Sequence, residues 1–85
     1  MARVEIYTRA FCGYCSRAKR LLDGKGVAYE EIDVGMDSGK KAQMIQRAKG
    51  RTTVPQIFID DRHIGGSDDL HALDSDGRLD SMLEA

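Results

Sequence analysis

A chain of 85 residues with 13 basic and 14 acidic side chains, a net charge of 13 − 14 = −1 and two cysteines has room for one domain, residues 1–85, and one modest hydrophobic core. Its basic residues are interleaved with acidic ones along the chain, which argues against a nucleic-acid partner. Nowhere do about 18 apolar residues run together, and Met1 to Glu5 leads straight into an alternating segment, so no membrane partner and no export are expected and the cytoplasm is the expected location.

Arg3 to Thr8 alternates with period two and is rich in β-branched and aromatic residues, which predicts a strand that stops at the run Cys12-Gly13-Tyr14-Cys15. From about Gly13 to Asp23 the period becomes helical. Ala18, Leu21 and Leu22 form the apolar side, Arg17, Lys19, Arg20 and Asp23 the wet one, and Gly24 and Gly26 end the helix. Val27 to Val34 reads as a second strand. Asp37 or Ser38 can cap a second helix that carries Ala42, Ile45 and Ala48 on one side and closes at Gly50.

After the only proline, Gln56 to Asp60 and Arg62 to Ile64 flank an acidic turn at Asp60-Asp61 and predict a hairpin. Gly65-Gly66 then leads into a final helical region from Ser67, where Leu70 and Leu73 are apolar and Gly77 breaks the pattern before Leu79, Met82 and Leu83. The order β-α-β-α-β-β-α makes the first two strands parallel through a right-handed crossover and the last two antiparallel. The expected architecture is α/β, a four-stranded mixed sheet with helices on both faces.

Two cysteines separated by two residues close too short a loop to staple a fold, so in a reducing compartment they point to redox chemistry or to a metal. Cys12 falls at a helix start, where unpaired amides and the helix dipole favour a thiolate, the nucleophilic form, and Arg9 adds a positive charge nearby. Cys15, one turn further in, is the natural resolving thiol. Zinc needs four ligands, and the set could be completed only by His63 and His71, with seven residues between them instead of the spacing of a finger. Both histidines read as surface residues, and no metal site is expected.

Thr53-Val54-Pro55 is either the start of an edge strand or a tight connection containing a cis peptide, and its backbone can pair with an extended peptide. Gly66, Ser67, Asp68 and Asp69 join a strand to a helix. There, amides can hold a carboxylate and the two acids an amine, and a plain capped turn is the competing reading. Tyr14 and Phe11 suit either a core or a ligand.

Together these segments resemble the glutaredoxin family, most closely its short bacterial members of the glutaredoxin 3 type. The likeness covers Val4 to Arg9, the cysteine motif, Arg51 to Ile59 and Ile64 to Leu70. It implies a thioredoxin fold with Pro55 in the cis form facing the cysteines. It also implies that glutathione is the reducing co-substrate, held by Arg9 at its glycine carboxylate, by Thr53, Val54 and Pro55 along its backbone, by Gly66, Ser67, Asp68 and Asp69 at its γ-glutamyl end, and by Tyr14 beside the sulfur.

The resemblance further implies catalysis by Cys12 and Cys15 on glutathionylated or disulfide-containing proteins, in a chain expected to be monomeric. Many dithiol members carry proline where this sequence has Gly13. Members lacking that proline sometimes hold a [2Fe-2S] cluster between two subunits, which is the alternative expectation. A thioredoxin-like protein served by a reductase is disfavoured, because thioredoxins typically carry tryptophan beside the first cysteine and this chain has none.

Overall fold

A computed structural model describes residues 2–84. In chain order the elements are β1 (Val4–Thr8), α1 (Gly13–Gly24), β2 (Glu30–Asp33), α2 (Ser38–Arg47), β3 (Gln56–Ile59), β4 (Arg62–Gly65), α3 (Ser67–Ser75) and α4 (Leu79–Glu84). The strands form one sheet in the order β2-β1-β3-β4. β1 runs parallel to β2 and antiparallel to β3, and β3 is antiparallel to β4. This is the expected thioredoxin fold, and the final helical region is two helices, divided at Gly77.

Alternation along the strands sorts the core into two layers. Val4, Ile6, Ile57 and Ile59 face α1, α3 and α4, where they meet Ala18, Leu22, Leu70, Leu79 and Leu83. Tyr7, Phe58 and Ile32 face α2, where they meet Met44 and Ala48. Both faces of the central strands are therefore covered, and β1 is buried at all five positions, Glu5 and Thr8 included.

β2 is shorter than the predicted Val27 to Val34. Its partner β1 pairs from Glu5 opposite Glu30, so the residues before Glu30 have no strand beside them. Val27 instead donates its N–H back to the Leu22 carbonyl at 3.4 Å, and Val27 and Tyr29 pack onto the core as a loop. The acidic turn of the hairpin forms as expected, with both Asp60 and Asp61 at positive φ, 49° and 65°, as a tight primed turn requires.

Candidate active site

β1 delivers the chain through Arg9, Ala10 and Phe11 to the start of α1. Phe11 takes φ 58°, a left-handed conformation uncommon for a bulky side chain, and its ring is fully exposed beside the cysteine motif. Cys12 is the N-cap of α1, with extended dihedrals of −108° and 108°. Its Sγ accepts the N–H of Cys15 at 3.2 Å and lies 3.9 Å from the Val54 carbonyl, to which the thiol donates.

The two thiols are not equivalent. Cys12 is partly exposed, whereas Cys15 is buried. Burial, reinforced by the hydrogen bond with Cys12, pushes the Cys15 thiol up to about 12. Cys15 is thus held protonated while Cys12 is within reach of a substrate.

The Val54–Pro55 peptide is cis, as the resemblance implies, and Pro55 is buried where the loop from α2 enters β3. A groove of about 430 Å³ runs along this loop and is lined by Tyr14, Arg51, Thr53, Val54, Pro55 and the segment Gly66 to Asp69. Thr53 and Val54 also line a second hollow with Arg9, Thr52 and Lys41, and Arg9 in turn shares a third with Cys12, Cys15, Lys19 and Glu31. The structure therefore gathers Tyr14, Thr53 to Pro55 and Gly66 to Asp69 in one groove. Arg9 lies at the other end, past Val54.

Within this constellation Asp68 and Asp69 have different roles. The Asp69 carboxylate accepts the Gly66 N–H at 2.8 Å and an Arg51 N–H at 3.3 Å, capping α3, and these bonds, the Gly66 amide first, hold its carboxyl below the usual range. Asp68 is exposed, with Arg17 at 3.9 Å. Gly65, at φ 117°, is required here, since a Cβ would collide with the Asp69 carboxylate and come within 2.8 Å of Arg51. Ser67, at the start of α3, is buried.

Sequence reasoning assigned no role to Arg51 or Lys41, which line the groove and the adjoining hollow. Arg51 stood in a segment that carried the resemblance. Lys41 had no local signal, because only the packing of α2 against the sheet brings it near Arg9. The reading of both histidines as surface residues is corrected: both are half-buried, His63 stacks on Phe58 at 5.1 Å, and His71 Nδ1 lies 2.8 Å from the Ser67 carbonyl. Among the described residues, no three His, Cys, Asp or Glu side chains gather as a metal would need.

The family model described as Glutaredoxin matches residues 4–64, and Glutaredoxin 3 of Escherichia coli (strain K12) is 57% identical over 84 residues, covering 99% of this chain and 100% of that protein. The chain belongs to the glutaredoxin family. As a glutaredoxin it is a glutathione-dependent thiol-disulfide oxidoreductase.

Among solved structures, this glutaredoxin resembles that of Brucella melitensis with a TM-score of 0.85 at 52% identity, covering 98% of this chain and 89% of that one. It resembles a buckwheat glutaredoxin-glutathione complex with a TM-score of 0.89 at 35% identity, covering 98% and 77%. Among its described residues no helix is long and apolar enough to cross a membrane.

Proposed function

We propose that this glutaredoxin reduces protein-glutathione mixed disulfides and protein disulfides in the cytoplasm, as a single-domain monomer with Cys12 as nucleophile and Cys15 as resolving thiol. The observation that carries this reading is the asymmetry of the pair: Cys12 caps a helix beside the Val54 carbonyl, and Cys15 is buried one turn behind it. In the first reaction the Cys12 thiolate, supported by the Cys15 N–H, attacks the glutathione sulfur of a glutathionylated protein. The protein thiolate leaves, and Cys12 is left disulfide-bonded to glutathione. A second glutathione thiolate attacks the glutathione sulfur of that bond, so that oxidised glutathione departs and the Cys12 thiolate returns.

In the second reaction Cys12 attacks a protein disulfide and holds the substrate as a mixed disulfide. Cys15 then attacks Cys12 Sγ. The substrate sulfur leaves with the proton that Cys15 gives up, and two glutathiones reduce the resulting Cys12–Cys15 disulfide. Glutathione lies along the groove, with Thr53, Val54 and Pro55 pairing with its backbone and Tyr14 flanking its sulfur. Its γ-glutamyl end is held by the amides of Gly66 and Ser67 and by Asp68 and Asp69, and its glycine carboxylate by Arg9, joined by Lys41.

The test is a glutathione-coupled assay on a mixed disulfide. Cys12→Ser should reduce turnover to background while Cys15→Ser keeps more than about half, and equal loss in both would overturn the assignment. The [2Fe-2S] alternative makes a separate demand: protein reconstituted with iron, sulfide and glutathione without oxygen would be a coloured dimer, whereas a colourless monomer is the expected result.

A further inference from the structure

Gln56 opens β3 beside Pro55 and is completely buried, so its carboxamide has no water to satisfy it. Its Nε2 lies 2.9 Å from the Thr53 carbonyl and 3.2 Å from the Thr53 hydroxyl oxygen. Its Oε1 lies 2.6 Å from His63 Nε2. A backbone carbonyl can only accept, so the amide must turn its NH2 end to Thr53 and its oxygen to His63. A carboxamide oxygen can only accept too, so His63 must carry its proton on Nε2.

His63 is itself anchored, stacked on Phe58 with an interplanar angle of 30°. Its imidazole is held toward the neutral form by burial and then by the nearby Arg51 and Lys49. A single chain of donors therefore runs from β4 through β3 to the groove: His63 Nε2–H to Gln56, and Gln56 NH2 to Thr53. Because Thr53 Oγ1 accepts from Gln56, its own proton is directed elsewhere. Thr53 is exposed and lines both the groove and the hollow that holds Arg9, so this hydroxyl is left to donate to an acceptor outside the chain.

We propose that Gln56 and His63, neither of which lines the groove, are positioning residues that lock Thr53 so that its hydroxyl donates to a carbonyl or carboxylate of bound glutathione. The inference rests on the groove being the glutathione site. The chain fixes the ligand-facing polarity of Thr53 before any ligand arrives, and hydrogen-bonded preorganisation of this kind acts on binding more than on the chemical step at Cys12.

Two variants keep the packing and remove one donor each: His63→Phe, which retains the stack on Phe58, and Gln56→Met, which retains the length of the side chain. A third, His63→Gln, places an amide NH2 near the position of Nε2. With a glutathionylated peptide as substrate, His63→Phe and Gln56→Met should raise KM about fivefold, the size of one hydrogen bond, with kcat within about twofold of the parent. His63→Gln should restore KM. Unchanged KM in both deletion variants, a fall in kcat at constant KM, or failure of His63→Gln to restore binding would each overturn the proposal.

A second measurement on ligand-free protein separates this inference from the function itself. The 15N spectrum should show His63 protonated on Nε2 and a slowly exchanging Gln56 side-chain amide that becomes fast in His63→Phe, with shifts at Thr53 and Val54. If those signals do not move, the lock is absent even where the parent turns over glutathione normally. If they move while the parent shows no glutathione activity, the lock stands and it is the assignment of the groove that fails.

Discussion

At the residue scale, one helical turn separates two thiols with opposite surroundings. The Cys12 sulfur takes the Cys15 N–H as an N-cap and meets solvent, while Cys15 is only 2% exposed and its thiol is pushed up to about 12 by burial. Iodoacetamide at neutral pH should therefore add one carbamidomethyl group to the reduced, folded protein, on Cys12, and a second only after denaturation; intact-mass and peptide-mass measurements check both stages. The cysteine spacing was legible in the sequence, and so was the helix start, because glycine after Cys12 and the switch of apolar period from two to 3.6 are local signals. The division of labour between Asp68 and Asp69 was not legible. Two adjacent acids in a first helical turn look alike until Gly66 and Arg51 are brought to one of them.

At the element scale, the ends of α1, α2 and α3 share one device. In each, the residue after the C-cap takes positive φ, at Gly26, Lys49 and Gly77, and the next N–H returns to the carbonyl of Leu22, Ile45 or Leu73. Glycine announced two of these ends. At α2 the sequence pointed to Gly50, whereas Lys49 holds the left-handed position and Gly50 follows.

The contact of α2 with the sheet was also hidden in the sequence. Arg47 reaches the buried Glu5 carboxylate through two bonds of 3.0 and 3.2 Å, donates to the Tyr7 hydroxyl at 2.8 Å, and lies 4.0 Å over the Phe58 ring. Arg47→Ala would leave the buried Glu5 carboxylate with only the exposed Arg3 guanidinium, 3.5 Å away, and should cost about 3 kcal/mol, measured by urea denaturation. The double substitution Glu5→Gln with Arg47→Met should recover part of that loss. A glutamate at the second position of an alternating strand reads as solvent-facing, and only the layer of α2 above it reverses that reading.

For the whole molecule, acid is the condition that loosens several elements together. Glu31 ties β2 to β1 and α1 by accepting from the Thr8 hydroxyl at 2.8 Å and from Lys19 at 3.1 Å, and its carboxyl is lowered from the usual 4.5, by Thr8 first. Asp69, lowered from 3.8, ties α3 to the loop bearing Arg51. A carboxylate with a depressed folded value stabilises fully above its unfolded value, and that contribution is lost as pH falls through the folded one. Urea midpoints should therefore slip slightly between about pH 7 and pH 5, where His63 takes up a proton more readily in the unfolded chain than in the folded one, and fall more steeply below about pH 4. The drop should shrink in the double variant Glu31→Gln with Asp69→Asn, and a drop of full size there would contradict the assignment.

The sequence by itself determined the element order, the parallel and antiparallel pairings, the two-faced sheet and the cysteine pair at a helix start, because apolar periodicity, glycine and the two-residue cysteine spacing are local properties of the chain. Tertiary structure alone decided how deeply Cys15 is buried, that Asp69 caps α3 while Asp68 stays exposed, and that Arg51, Lys41, Gln56 and His63 bear on the groove that Thr53 to Pro55 and Gly66 to Asp69 share. Those facts depend on burial and on contacts between residues far apart in the chain. A side chain's neighbours across the sheet, unlike its period along a strand, exist only once the strands have paired.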